Sequence, residues 1–431
     1  MKKTTLLSIT GLLAIGLMFG VNLAQAQSIG GQHAGTLDPT FGTGGTVTTR
    51  LGVTVTPVAA IEQSNGNIVV AAGIGDAFPS VSDFGLLVYS SSGTLIGRNS
   101  VAFGSNLYND PVAAAVQPNG DIIVAGTSAS VINEAQEFAL ARFTPNGQLD
   151  PTFGEGGLVT TIFSNPCCET GFMTFSSLLL QPNGQIVVAG SAPPGRRNSP
   201  GMMVLARYNS NGSLDTTFGT GGIVEQIPPP VSPAALALLA NGSYLVEGGP
   251  GSVAEFGSTG VLQSTVTPGT VVAASQPTAA SPIAFQPNGD YVTASTVGGG
   301  FQKTEVEAFR FSETGVEDPS FNSFKFNFGG VTSGFGGIAL QSNGEILVAG
   351  SSALTRSGQG LFGVARLDSN GEFDATFGTG GTLTTTFAGS DSLGVSALLI
   401  QTDGKIVAVG GEIDPQNDNI LDLTMARYFG N

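Results

Sequence analysis

Charge, histidine, tryptophan and cysteine are all scarce in this chain, and each scarcity closes off a class of function. Lys, Arg, Asp and Glu together make 11% of 431 residues, too few for a helical bundle or coiled coil. The basic share is smaller still, with 15 Lys and Arg against 31 Asp and Glu and a net charge of -16. Such a balance excludes a nucleic-acid backbone or an anionic lipid surface as partner. His33 is the one histidine and precedes the first repeat segment, so no Ser-His-Asp or Cys-His arrangement and no His-rich metal cage can be built in the repeats. The two cysteines, Cys167 and Cys168, are neighbours. Adjacent Cα atoms lie about 3.8 Å apart, below the usual disulfide range, which leaves free thiols, a strained vicinal switch or bonding between chains.

Glycine is plentiful instead, at 64 residues, with 23 Pro, 27 Phe and 41% apolar residues. Short strands joined by Gly turns fit that composition, and a disordered chain would be poorer in apolar residues. Lys2 and Lys3 precede an apolar run from Thr4 to Val21 and the small-residue pattern Ala24-Gln25-Ala26. This reads as a secretory signal, residues 1–26, cleaved near Ala26, the alternative being an uncleaved anchor. No later segment is apolar for long enough to span a membrane. Without Lys2 and Lys3 the exported chain carries 13 basic and 31 acidic residues, a net of -18. A secreted, periplasmic or cell-surface protein is expected, and a monomer.

One element recurs seven times: an apolar alternation, usually Gln and two residues, Gly, then a β-branched run ending in small residues. AAAVQPNGDIIVAG from Ala113, SLLLQPNGQIVVAG from Ser177 and GIALQSNGEILVAG from Gly337 show it clearly. The turn glycines are Gly66, Gly120, Gly184, Gly242, Gly289, Gly344 and Gly404, a mean spacing of about 56 residues, which suits a four-stranded blade. The first strand alternates up to the Gln, and Asn-Gly or Asp-Gly supplies a tight hairpin. The second strand, apolar on both faces, is buried on both. A third strand follows, as FALARFT from Phe138 or MVLARYN from Met203, and a second Gly turn leads to a fourth segment, LDPTFGEGGLVTT from Leu149 or its equivalents.

Such sheets must stack on one another, in a closed ring or an open solenoid. The chain ends choose the ring. The last repeat stops after its third strand at Asn431, and the missing fourth segment, Leu37 to Gly45, stands near the start. The expected fold is therefore all-β: one seven-bladed β-propeller of four-stranded antiparallel blades over residues 27–431, its last blade formed by about 36–49 plus 396–431.

The third strand carries Arg and the fourth segment Asp eight positions later, in Arg142 with Asp150, Arg207 with Asp215, Arg310 with Asp318 and Arg366 with Asp374. The first and fourth repeats lack both, with Val88 and Ile96, and Glu255 and Gln263. Loss of both together is what facing residues that neutralise one another require, since half a pair leaves a charge uncompensated. Arg427 has no Asp after it, and Asp38 at the opposite terminus is its expected partner.

The Q-P-N-G-x-I-V-V-A-G, L-A-R-Y-x-x-x-G-x-L-D and F-G-x-G-G segments resemble the bacterial delta-60 repeat family, a β-propeller of unknown function. The resemblance covers nearly all of the mature chain and implies the fold, with no activity, substrate or catalytic residue. The absence of Trp also tells against a quinone-dependent dehydrogenase propeller, whose repeats bear it.

Because chain direction reverses at every strand, the first-to-second and third-to-fourth turns share one face of the ring. The remaining connections share the other, and they vary in length: Gly73 to Asp83, Thr161 to Phe175, Gly190 to Gly201, Thr267 to Ser281 and Gly410 to Asn419. Variable loops on a rigid scaffold carry recognition, or else are neutral insertions. F-G-x-G-G has no Lys-Ser/Thr after it and reads as a turn or bulge rather than a phosphate cradle. Asp414, Asp418 and Asp422 are candidate Ca²⁺ ligands, without the spacing of a known loop class; solvated turn residues are the plainer reading. No other cofactor is expected. Two functions stand: a non-catalytic exported binding or adhesion scaffold for an extracellular or envelope protein or glycan, and a Ca²⁺-dependent, carboxylate-based hydrolase or lactonase-like enzyme at the channel mouth.

Overall fold

Short apolar runs bounded by Gly turns pair into 28 strands among the described residues. The computed structural model describes residues 33–75, 82–104, 107–130, 136–163, 173–192, 202–226, 231–248, 251–263, 266, 271–274, 283–298, 304–353, 360–387 and 392–431. The signal segment, Cys167 and Cys168 lie outside these residues, as does most of the length of four of the five variable loops.

The first strand, β1 (Thr46–Thr49), is paired last. Blade 1 is β2 (Thr54–Glu62), β3 (Ile68–Gly75), β4 (Ser82–Tyr89) and β5 (Leu95–Val101). Blade 2 is β6 (Leu107–Val116), β7 (Ile122–Ser130), β8 (Gln136–Phe143) and β9 (Leu158–Thr161), and blade 3 is β10 (Thr174–Leu180), β11 (Ile186–Ala192), β12 (Met202–Tyr208) and β13 (Ile223–Gln226). Blade 4 holds β14 (Ala235–Leu239), β15 (Tyr244–Glu247), β16 (Val253–Phe256) and β17 (Val271–Ala274). Blade 5 holds β18 (Ile283–Phe285), β19 (Tyr291–Gly298), β20 (Thr304–Phe311) and β21 (Lys325–Phe326). Blade 6 is β22 (Thr332–Leu340), β23 (Ile346–Ala353), β24 (Gly360–Leu367) and β25 (Thr382–Thr385). Blade 7 is β26 (Ser392–Ile400), β27 (Ile406–Asp414), β28 (Asn417–Tyr428) and β1.

The result is an all-β, seven-bladed propeller of four-stranded antiparallel sheets, with no helix among the described residues. β1 pairs with β28 in the register Thr46 with Ala426 through Thr49 with Leu423, so the two ends of the chain share one sheet. The core is a series of apolar clusters between successive blades. Phe138, Phe175, Met202 and Val204 join blades 2 and 3, and Val55, Val70, Leu423 and Met425 join blade 1 to blade 7. Second strands such as IVVAAGIG from Ile68 are buried along nearly their whole length, because each faces a neighbour on both sides and both rows of side chains leave water.

Two arrangements depart from the sequence pattern. In blade 4, β17 pairs with β14 at the inner edge, giving the order β16-β15-β14-β17. β17 falls within the stretch Thr267 to Ser281, expected as a variable loop, and the blade lacks Arg, Asp and F-G-x-G-G, as does blade 1, whose β5 nonetheless pairs with β4. The stretch Gly410 to Asn419, expected as a variable loop, is instead a strand pair, β27 and β28 meeting at residues 415–416. Glu412 lies opposite Asp422 in that ladder, and Arg50 reaches both carboxylates, at 3.2 Å and 3.0 Å, offsetting their repulsion.

Candidate functional site

The Arg residues of the third strands organise one face of the ring. Arg142 Nη2 lies 2.8 Å from Asp150, Arg207 Nε 2.8 Å from Asp215, Arg310 Nη2 2.6 Å from Asp318, Arg366 Nη2 2.6 Å from Asp374 and Arg427 Nη2 2.9 Å from Asp38. Each guanidinium also lies over a Phe of the fourth segment, that of F-G-x-G-G in four blades and Phe321 of Phe321-Asn322-Ser323 in blade 5, 4.8 Å from the ring centre for Arg142 on Phe153 and 4.5 Å for Arg427 on Phe41. That contact adds a cation–π attraction in a desolvated place.

The pairs reach beyond the hairpin. Nη1 donates to a backbone carbonyl in the third-to-fourth turn of the next blade: Arg142 to Ser210 at 2.6 Å, Arg207 to Ser258 at 2.6 Å and Arg310 to Ser369 at 2.6 Å. Arg427 does so to Ser91, and Arg366 donates to the Gly430 carbonyl in the segment after β28, which stands in the place of that turn. The Gly after the Phe donates to the same turns, Gly154 N to Asn211 O at 2.9 Å and Gly42 N to Ser92 O at 2.8 Å. Gly154 has φ 52°, and a Cβ there would run into the Leu158 carbonyl oxygen. F-G-x-G-G is thus a turn whose Phe and first Gly grip the adjacent blade.

Where the Arg is missing, other groups act. Gln63 Nε2 donates to Pro145 O at 2.8 Å and Asn99 Nδ2 to Gly147 O at 3.1 Å, joining blade 1 to blade 2. Between blades 4 and 5, the Gly251 N–H donates to the Tyr291 hydroxyl at 3.2 Å. The Tyr291 phenol also faces the fully buried Glu247, whose carboxyl burial pushes up to about 9. A sequence signal for this residue exists: Glu247 stands where the other second strands carry a small or apolar residue, such as Ala125 or Ala189.

The latched aspartates have the opposite shift. Burial alone would raise the Asp215 carboxyl, but hydrogen bonds from the Thr217 hydroxyl and N–H, together with Arg207, outweigh it and hold it below the usual aspartate value. Asp318 is held down at about 2, chiefly by the Ser320 hydroxyl and N–H and then by Arg310.

The three candidate Ca²⁺ ligands do not come together. Asp418 is exposed beside the β27–β28 turn, whereas Asp414 and Asp422 are buried. Arg50 reaches Asp422 at 3.0 Å and Glu412 at 3.2 Å. Burial, then repulsion from Asp414, raises the Asp422 carboxyl. Among the described residues no group of three or more His, Cys, Asp or Glu side chains is placed to hold a metal ion.

Two clefts open on the face bearing the Gly turns. One, of about 480 Å³, lies between blades 2 and 3 above Arg142. The other, of about 450 Å³, lies between blades 7 and 1 above Arg427. They are equivalent in the repeat: each has a buried Gln at the first-to-second turn, Gln117 or Gln401, and the third-to-fourth turn of the following blade opposite.

Among solved structures, the chain is similar to the α-L-arabinanase of Penicillium chrysogenum complexed with arabinobiose, at 12% identity and TM-score 0.44, covering 89% of this chain and 98% of that one. An α-L-arabinofuranosidase of Fusarium graminearum with an iminosugar inhibitor gives 13% identity and TM-score 0.46 over 92% and 97%. A protein of unknown function from Dyadobacter fermentans gives 11% identity and TM-score 0.46 over 89% and 98%. No curated protein matches the chain. Residues 117–153, 181–218 and 341–377 match the profile of a family described as a domain of unknown function (DUF5122) β-propeller. Each matched segment runs from the buried Gln of a first-to-second turn to the Phe beneath the Arg, so the repeat of this chain is a β-propeller repeat.

Proposed function

We propose that this chain is an exported, non-catalytic binding scaffold in which the ring holds one face rigid and offers the other to an envelope or extracellular protein or glycan. The observation that supports this reading is the division between the faces. Five seams are fastened by the same Arg latch on the Gly-turn face, where the first-to-second turns keep nearly constant length. The chain between second and third strands varies in length, from residues 415–416 between β27 and β28 to residues 193–201 between β11 and β12. A fixed frame with variable connections concentrates selectable change at one surface, and the exposed tip Gln416 to Asn419 belongs to it.

The test is a binding isotherm of the chain lacking residues 1–26 against a panel of surface glycans and purified envelope proteins. Saturable binding is expected, lost when residues 193–201 or 415–419 are exchanged for Gly-Ser segments of equal length at unchanged melting midpoint. Flat isotherms across the panel would overturn the reading.

A further inference from the structure

The closing strand β1 is fastened beyond both of its ends. Ahead of it, Asp38 meets Arg427 at 2.9 Å. Directly after it, Arg50 reaches Asp422 of β28 at 3.0 Å and Glu412 of β27 at 3.2 Å. This second fastening differs from the five latches in its charge. One guanidinium, 48% exposed, serves two carboxyls that are 0% and 1% exposed. Asp414 of β27 adds a third acid nearby, its Oδ1 already accepting from the Gln416 N–H at 2.7 Å. Asp418, four residues before Asp422 on β28, is exposed.

Glu412 and Asp422 stand directly opposite one another in the ladder. Two carboxylates so placed repel, and two acids that share a site keep one proton far above their ordinary range. Glu412 Oε2 and Asp422 Oδ1 are buried and accept from no donor, which is costly for an ionised carboxylate. A single proton between the two carboxyls supplies that donor and leaves one negative charge for Arg50 to balance. Burial, then Asp414, and Glu412 after it, raise the Asp422 carboxyl against the pull of Arg50. We infer that Glu412 and Asp422 share one proton in the folded chain at neutral pH, and that this proton fastens the far end of β1 to the last hairpin. The folded pair keeps a proton that the unfolded chain releases above the ordinary aspartate value of 3.8. Its contribution is therefore complete below 3.8 and is lost as pH rises through the folded value. The closure has one fastening that acid loosens, Asp38 with Arg427, and one that mild acid tightens. This device concerns the ring alone and stands apart from what the variable connections bind.

The experiment is infrared spectroscopy and native-state hydrogen exchange of the chain lacking residues 1–26. At pH 7, Asp422→Asn and Glu412→Gln are each expected to lose the same protonated-carboxyl band of the parent. After correction for intrinsic exchange, the β1 amides should open about tenfold more often per pH unit between pH 5 and 7. Asp422→Asn should remove that dependence, and Glu412→Gln reads the same pair if Asp422→Asn does not fold. Calcium chloride should leave the melting midpoint unchanged. The proposal is overturned if neither folded variant loses a protonated-carboxyl band, or if the two lose different bands. It is also overturned by pH-independent opening of β1, or by a midpoint that Ca²⁺ raises in the parent and not in Asp422→Asn, which would give the cluster to a metal ion.

Discussion

Arg427 and Asp38, 389 residues apart in the chain, form a buried pair with Nε and Nη2 each 2.9 Å from Oδ2. The Asp38 side chain is 1% exposed and that of Arg427 5%. Backbone bonds flank them, from Asp38 N to Arg427 O at 2.8 Å and from Arg427 N to Gly45 O at 2.9 Å. The last blade is therefore closed by the same side-chain pair that holds Asp150 to Arg142 within one hairpin. Closure differs only in that its two halves come from opposite ends of the sequence.

Removing Asp38 leaves a buried guanidinium without its carboxylate, which costs far more than an exposed pair returns. Asp38→Ala is expected to lower stability by about 3–5 kcal/mol in urea unfolding. The double variant Asp38→Leu with Arg427→Met should recover most of that loss. An unchanged midpoint for the single variant would show that the pair contributes nothing to closure.

Deleting residues 27–50 takes β1 away from β28 and opens the ladder over Thr46 to Thr49. An unpaired strand edge beside exposed apolar surface seeks a partner. The shortened chain is expected to self-associate in sedimentation, and a synthetic peptide of residues 33–50 should return it to a monomer with the parent melting midpoint. Failure of the peptide to bind would mean that closure is not a separable step.

The glycines of F-G-x-G-G are not equivalent. Gly154 (φ 52°) has no room for a Cβ beside the Leu158 carbonyl and the Val159 side chain, whereas Gly156 (φ 63°) has nothing within 4 Å. Gly156→Ala should cost only the left-handed strain of about 1–2 kcal/mol, and Gly154→Ala clearly more. Equal losses in chemical denaturation would count against the Gly154 grip on the next blade.

Two groups of carboxyls give opposite pH dependence. Asp38, Asp150, Asp215, Asp318 and Asp374 are held below the ordinary aspartate value of 3.8, Asp318 at about 2. Their stabilisation is complete above that ordinary value and is lost as pH falls through their folded values, so acid unfolding should set in below about pH 4.

Glu247 runs the other way. Its carboxyl rises from 4.5 to about 9, so the folded state holds a proton that the unfolded state releases. Its contribution is complete below 4.5 and is lost as pH climbs toward 9. Glu247→Gln, which keeps a neutral polar group beside Tyr291, should raise the melting midpoint at pH 8 and flatten its slope between pH 5 and 9. A parallel pH profile for the variant would show that Glu247 is ionised in the folded chain.

The sequence by itself determined the strand periodicity and the number of blades, because the repeat recurs along the chain, and the partner of four latch Arg residues, because each Asp stands eight positions later; Asp38 is matched to Arg427 by the incomplete last repeat. The joint loss of Arg and Asp in two repeats is legible for the same reason. Only the tertiary structure decided that each Arg also holds the neighbouring blade, since its acceptor there is a backbone carbonyl and any residue supplies one. It likewise decided that β17 pairs at the inner edge of blade 4, that Glu247 sits against Tyr291, and that Arg50 meets Glu412 and Asp422. Contacts between repeats depend on how sheets stack in space, and the backbone acceptors they use carry no side-chain signature in the chain.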